Sequence, residues 1–328
     1  LESLILVVSH DRHFLNKVST HIADVDCNTI KIYPGNYDFW QQATELSRKQ
    51  DQDQKQKSEQ KIEQLESFIR RFSANASKSK QATSRKKLVE KLRPEELPVS
   101  VRKPPFIHFK PERAVGNMIL SLEKLTLKKE NDMGFSPFNF ALNKGDKVAI
   151  VGENSVANTH LMACVAGQVN TSSGTLKWGE SITMAYYPKD NTSFFEKDIS
   201  LLDWLTQYAG QMDRQEIRGF LGRMLFSGDE VNKSVKVLSG GEKARAMFSK
   251  MMIANPNCIL LDEPTDHLDL ESITALNKAL EQYQGCMIVI TRDMQILKSV
   301  PNRILELKNG KVSDYQHNFD EYLIIKQK

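Results

Sequence analysis

Apolar positions along the chain fall into three rhythms. Residues 4–8 (LILVV), 258–262 (CILLD) and 286–290 (CMIVI) are continuous apolar runs of about strand length. From Ile119 onward such runs alternate with helical ones, the pattern of an α/β domain. Residues 41–60 are almost wholly polar and rich in helix formers, after which Ile62, Leu65, Ile69 and Phe72 recur at helical steps and make one apolar stripe. The small polar run SANASKSK at 73–80 breaks that helix, and Leu88 and Leu92, one turn apart, begin a second. The spacing predicts a protruding antiparallel helical hairpin. Pro94, Pro98, Pro104, Pro105 and Pro111 follow; proline fixes φ and lacks a donor, so a stiff, extended strap is expected there.

Two distant stretches read as the same unit. LILVVSHDRHFLNKV leads to YPGNYDFW, and CMIVITRDMQILKSV leads to YQHNFDEY. A constant offset of 282 maps Ser9 to Thr291, His10 to Arg292, Asp11 to Asp293, Leu15 to Leu297, Tyr37 to Phe319 and Trp40 to Tyr322. Identical internal spacing implies two copies of one domain. The second copy has its body upstream and the first has none, so the chain is expected to open inside a domain, with the strand at 4–8 deprived of partners. The expected division is a domain remnant at 1–40, a basic helical hairpin at 41–93, a proline-rich connector at 94–116 and a complete α/β domain at 117–328.

Charge and cysteine usage narrow the setting. The net charge of +4 is modest, so any nucleic-acid footprint must be local. No apolar run approaches the roughly 18 residues that span a bilayer. Cys27, Cys164, Cys258 and Cys286 are scattered with no metal-site spacing, and they read as reduced thiols of a cytoplasmic protein.

Two motifs carry chemistry. CILLDEPTDHLD ends an apolar strand in Asp262 and Glu263; acids there can hold Mg²⁺ and orient or deprotonate a water, although a buried strand can also simply end in acids before a turn. LSGGEKARAMFSK places Ser239, Gly240 and Gly241 directly before a helix, with Glu242 on its first turn. Glycines let backbone approach a phosphate and a helix N-terminus favours an anion, whereas the plainer reading is a serine cap. The two motifs stand in order, 23 residues apart from Ser239 to Asp262.

LSGGE followed by LLDEP, with a preceding strand–loop–helix, resembles the ATP-binding cassette, an α/β P-loop NTPase fold. Duplicate cassettes joined by a basic helical linker resemble the ABC-F family. RRFSANASKSKQATSRKKL and YPGNYDFW are similar to its YbiT-type subgroup. The resemblance implies a soluble ATPase, with ATP and Mg²⁺ as cofactors, that binds the ribosome and acts on translation. It implies that His10 is the first cassette's switch histidine and that Glu263 is the catalytic glutamate. Ser239, Gly240 and Gly241 would form a signature loop contacting ATP held by an opposite cassette, which a segment or another chain would supply. Asp262 would be the Walker B aspartate, Leu268 and Asp269 the D-loop, and Gly152, Asn154 and Thr159 part of the phosphate loop, Thr159 and Asp262 being the Mg²⁺ ligands.

The phosphate loop departs from the family. In GENSVANTH, Ser155 and Ala157 replace glycines and Asn158 stands in the lysine's place; Lys189 occupies the usual Q-loop glutamine and Arg292 the second switch histidine. A charge-assisted hydrogen bond is worth about 1.5–3 kcal/mol, so losing the lysine predicts a weakened site, with Ser155 still able to cap the helix. Two readings stand: Lys189 and Arg292 replace the missing charge and bind ATP without efficient hydrolysis, or the site has drifted.

From Arg70 to Arg93 the hairpin carries nine basic residues and one acid, Glu90. Arg70, Arg71, Lys78, Lys80, Arg85, Lys86 and Lys87 are the candidate RNA contacts, drawn to phosphate backbones by counterion release. Phe68 and Phe72 are too few to suggest base stacking, so rRNA or tRNA would be met by shape. A solvated helical face is the plainer alternative. Tyr37, Phe39, Trp40, Phe319 and Tyr322 read as packing, and His13, His21 and His108 as uncommitted. Taken together, the expected function is an ABC-F-type translation factor coupling ATP to ribosome engagement. The rival is a non-hydrolysing pseudo-cassette acting as an RNA-binding or regulatory module.

Overall fold

A computed structural model describes residues 4–26, 29–72, 79–92, 102–116, 118–127 and 134–327. The chain divides into two compact units, residues 1–102 and 103–328.

In the N-terminal unit, helix α1 (Arg12–Val18) is capped by Asp11, whose side chain accepts from the Phe14 N–H at 3.0 Å. Strands β1 (His21–Asp26) and β2 (Thr29–Pro34) pair antiparallel, with His21 opposite Pro34 and Asp26 opposite Thr29. Residues 4–8 form no strand, contrary to expectation, and Leu4 and Val8 lie almost fully exposed; no neighbouring strand among the described residues completes a ladder for them.

Helix α2 (Tyr37–Phe72) runs unbroken for 36 residues, about 54 Å at 1.5 Å per residue. The expected boundary at 40/41 therefore falls inside a helix, because Tyr37 and Trp40 bury its first turn against the β1–β2 hairpin. Trp40 Nε1 donates to Asp24 Oδ2 at 3.1 Å, and Arg102 pairs with Asp24 at 2.7 Å. Helix α3 (Ser79–Leu92) packs back on α2, as the sequence pattern predicts. Its buried contact is Val89, while Leu88 stays 41 % exposed, a shift of one position in the apolar face.

The C-terminal unit holds two sheets. Strands β3 (Leu120–Leu127), β4 (Phe135–Leu142) and β6 (Ser173–Trp178) form an antiparallel sheet in the order β4-β3-β6. The main sheet has the order β11-β10-β5-β9-β8-β7, from β5 (Lys147–Val151), β7 (Met184–Tyr187), β8 (Cys258–Asp262), β9 (Cys286–Ile290), β10 (Arg303–Lys308) and β11 (Lys311–Tyr315). All its pairings are parallel except β10–β11. Strands β8 and β9 are buried throughout, as their continuous apolar runs require.

Helices α4 (Ser155–Val165), α7 (Gly240–Ile253), α8 (Leu270–Gln282), α9 (Met294–Ser299) and α10 (Phe319–Gln327) connect or flank these strands, and α5 (Leu201–Thr206) and α6 (Arg214–Arg223) make a lateral helical part. Residues 94–101 of the proline-rich connector lie outside the described residues; residues 102–116 form no helix or strand, and 103–116 belong to this unit. Pro105, Ile107 and Phe109 bury alternate positions, and the Phe106 N–H donates to the Arg223 carbonyl at 2.9 Å. No helix among the described residues is long and apolar enough to cross a membrane.

The internal repeat recurs in the contacts. Tyr322 Oη donates to Glu306 Oε1 at 3.0 Å, the counterpart of Trp40 on Asp24 at the same offset of 282. Each copy sets an acid on the hairpin's first strand against an aromatic donor on the helix that follows.

Candidate nucleotide site

Parallel registry gathers the sequence motifs at one edge. Asp262 is level with Ile290, Tyr187 with Leu261, and Ala149 with Val289. The carboxyl ends of β5, β7, β8 and β9 therefore open on the same side of the sheet; Asp262 is the last residue of β8, and the loops after these strands carry residues 152–154, Lys189, Glu263 and Arg292. Ligands of open α/β sheets bind at such an edge.

The loop after β5 turns into α4 at Asn154. Its Oδ1 accepts from the N–H groups of Val156 and Ala157 at 3.0 and 3.1 Å. Asn154 is thus the cap expected of Ser155, because Ser155 is already the first helical residue. That cap occupies two N–H groups at the end of the helix that would cradle an anion. Asn158 is buried, its Nδ2 lies 3.5 Å from the Gly152 carbonyl, and its Oδ1 has no partner. Its amide is turned toward the Gly152 carbonyl. Gly152 is demanded by close packing: a Cβ there would lie 2.3 Å from the Leu307 carbonyl oxygen.

Thr159 Oγ1 donates to Asp262 Oδ1 at 3.3 Å, and Asp262 Oδ2 is buried with no hydrogen-bond partner. Burial pushes the Asp262 carboxyl up to about 6; the Thr159 hydrogen bond and the nearby Lys189 charge oppose that rise, and Asp266 adds to it. A buried, unsatisfied carboxylate oxygen beside a threonine hydroxyl suits a hard divalent cation that completes its shell with phosphates and water, so these residues fit Mg²⁺.

Glu263 is buried, with a left-handed φ of +47°. Its N–H donates to the Ile290 carbonyl at 2.8 Å, tying it to the end of β9. The carboxylate meets Arg292 twice: the Arg292 N–H donates to Oε2 at 3.1 Å, and Nε lies 3.4 Å from Oε1. Burial raises the Glu263 pKa, Asp266 raises it further, and the Arg292 charge opposes both. Sequence reading missed this pairing and missed Asp266; the acidic run DEPTD was the available signal.

The loop after residue 238 forms a capping box. Glu242 N–H donates to Ser239 Oγ at 3.3 Å, and Ser239 N–H donates to Glu242 Oε2 at 2.7 Å. A Cβ on Gly240 would lie 3.0 Å from His267, and one on Gly241 would lie 3.1 Å from its carbonyl oxygen. The glycine pair is therefore needed first for packing on the turn after β8, where His267 itself has a φ of +66°.

The remaining expected residues lie in the N-terminal unit. His10 is exposed, just before α1. Arg70, Lys86 and Lys87 are exposed on the hairpin. Arg85 instead stacks on the Phe68 ring, 3.4 Å from its centroid, so it ties α3 to α2. Lys78 and the side chains of Arg71 and Lys80 lie outside the described residues.

Comparison with known proteins follows the same division. Residues 23–109 and 135–266 match two family models, each described as ABC transporter. The chain is 50 % identical over 325 residues to the "Uncharacterized ABC transporter ATP-binding protein YkpA" of Bacillus subtilis, covering 98 % of this chain and 60 % of the relative. It is 42 % identical to the "Probable ATP-binding protein YbiT" of Escherichia coli O157:H7, over 98 % and 61 %. It is 30 % identical to "ABC transporter F family member 5" of Arabidopsis thaliana, over 97 % and 46 %. The chain thus spans about 60 % or less of the length of these relatives. A solved ATP-binding cassette, a dimer in a post-hydrolysis state bound to ADP and Pi, superposes with a TM-score of 0.50 at 18 % identity, covering 61 % of this chain and all of that one. In sequence and in fold, the C-terminal unit is an ATP-binding cassette domain of the ABC transporter family.

Proposed function

We propose that the chain belongs to an ABC-F-type protein that couples ATP to engagement of the ribosome through its basic hairpin. The buried, unpartnered Asp262 Oδ2 beside Thr159 carries the nucleotide half of this reading, because a metal-bound phosphate is what that pair lacks. The exposed cations Arg70, Lys86 and Lys87 and the likeness to a plant F family member support the ribosomal half. Ser239 and Gly241 would serve a nucleotide held by an opposite cassette, and His10 the nucleotide of the first. A cytoplasmic setting, where ATP and RNA are both at hand, is part of this reading. Sedimentation of the full chain with ribosomes, with and without Mg·ATP, is the test: no co-sedimentation in either condition would remove the ribosome from the reading.

A second reading, a non-hydrolysing cassette, is favoured by one observation. The two departures nearest the expected chemistry, Asn158 and Arg292, are both turned onto protein groups, Gly152 and Glu263. ATP turnover at a rate that Glu263→Gln abolishes would rule it out.

A further inference from the structure

The main sheet ends at β7, and beside that edge strand lies a cavity of about 350 Å³. Its walls come from residues just after α4, from β7, from the 3-10 turn at Thr192–Phe195, from Tyr208 just after α5 and from the end of α7. Lys250, on the last turn of α7, lines it with a half-buried side chain. Its ammonium stands 3.8 Å from the centre of the Phe194 ring and 4.6 Å from that of Tyr208. Among the described residues no carboxylate pairs with it, and burial pushes the amine down to about 8. It is therefore still mostly protonated at neutral pH. The cage is fixed from behind by the buried Trp204. Trp204 Nε1 donates to the Phe194 carbonyl at 2.7 Å, and the Tyr208 ring packs edge-on against Trp204 with centres 5.2 Å apart. A half-desolvated ammonium without a counter-charge costs free energy that an incoming anion recovers. The ring faces offset part of that cost by cation–π attraction, but they supply no negative charge.

We propose that this cavity binds a small aromatic carboxylate, whose charged end meets Lys250 and whose ring lies among Phe194, Tyr208 and Met251. Apolar and aromatic walls around one placed charge are what a small-molecule pocket uses for affinity and orientation. Lys250 is the one charged side chain among the lining residues, so a single negative charge is matched and the two of a phosphate group are not. The volume lies at the small end of the ligand-pocket range, which suits one or two fused rings. The site does not depend on the ATP reading, because no nucleotide contact enters it.

Titration calorimetry of the full chain with 2-naphthoate, and with 2-naphthalenemethanol as an uncharged ligand of the same shape, tests this without nucleotide. Naphthoate should bind saturably at one site. The alcohol should bind about tenfold or more weakly, the loss of one charge-assisted contact. Lys250→Met keeps the apolar stem and removes the charge, so it should bring naphthoate down to the level of the alcohol and leave the alcohol where it was. Tyr208→Ala opens a wall of the cage and should weaken both ligands. Thermal melts of each variant separate lost binding from lost folding, and the comparison of the two ligands on the unaltered chain still decides if Lys250→Met melts early. Equal binding of naphthoate and alcohol, uptake of naphthoate that never saturates, or full naphthoate affinity in Lys250→Met would overturn the proposal. Binding of both ligands untouched by Tyr208→Ala would put the ring elsewhere and overturn it as well.

Discussion

Thr159 Oγ1 donates to one oxygen of Asp262 at 3.3 Å, while the other oxygen is buried and unpartnered. A folded protein that leaves a buried carboxylate half satisfied gives up stability for what that oxygen can bind. Its pKa is raised by burial from the ordinary 3.8 to about 6. A raised folded pKa means that stability from this group is highest below 3.8 and falls as pH rises toward 6, where the buried charge appears. Asp262→Asn should therefore raise the melting temperature of the metal-free protein at pH 7 and abolish any Mg²⁺ dependence of nucleotide binding. A lower melting temperature would show that the carboxylate is satisfied in a way the geometry does not reveal.

Asn158→Lys asks how much the phosphate loop has lost. The native amide is buried with Oδ1 unpartnered and a marginal 3.5 Å contact to Gly152, so its removal gives up little. A lysine long enough to clear the loop regains one charge-assisted contact, and Mg·ATP should bind roughly 10- to 150-fold more tightly. Titration calorimetry reads this directly. No gain would mean that the Asn154 cap on Val156 and Ala157, rather than the missing cation, closes the cradle.

Much of this was legible from patterns with a physical period. The continuous apolar runs at 258–262 and 286–290 became buried parallel strands, and the stripe from Ile62 to Ile69 became one long helix. What sequence could not supply was orientation. Nothing in TRD says whether Arg292 points at a phosphate or at Glu263, because that depends on β8–β9 registry. Nothing in GENSVANTH says that Asn154 rather than Ser155 caps α4, because the first helical residue is settled by packing. Glycines 240 and 241 leave open, on sequence, whether they make room for a phosphate or follow a serine cap, and in the fold their nearest neighbour is His267. The strand at 4–8 failed for a different reason: an apolar run makes a strand only when another strand accepts its hydrogen bonds.

The hairpin separates two kinds of basic residue. Lys86 and Lys87 are exposed, whereas Arg85 lies on the Phe68 ring. Lys86→Glu with Lys87→Glu should weaken ribosome or RNA binding and flatten its salt dependence, with the melting temperature unchanged. Arg85→Ala should instead cost about 0.5–2 kcal/mol of hairpin stability through the lost cation–π contact. Filter binding at two salt concentrations, with a thermal melt on each variant, distinguishes them. Equal salt slopes for all variants would assign the charge run to a solvated face.

Glu306 offers a test of the repeat that needs no nucleotide. Burial alone would raise its pKa, but hydrogen bonds from Lys326 and Tyr322, with the Lys326 charge and Tyr315, outweigh it and hold the carboxyl below its ordinary 4.5. Lys326 reaches it at 2.6 Å, and Tyr322 at 3.0 Å. A depressed folded pKa contributes stability that is complete above the ordinary value and is lost as pH falls through the folded one. Glu306→Gln should therefore lower the melting temperature near neutral pH and reduce the acid-side loss of stability below about pH 4.5. Tyr322→Phe, which removes one hydrogen bond and keeps the ring, should cost about 1 kcal/mol. Trp40→Phe should act on the N-terminal unit in the same sense, since Trp40 meets Asp24 as Tyr322 meets Glu306. An acid transition unmoved by Glu306→Gln would show that this carboxylate, though it sits at the repeat's equivalent position, does not fasten α10 to the sheet.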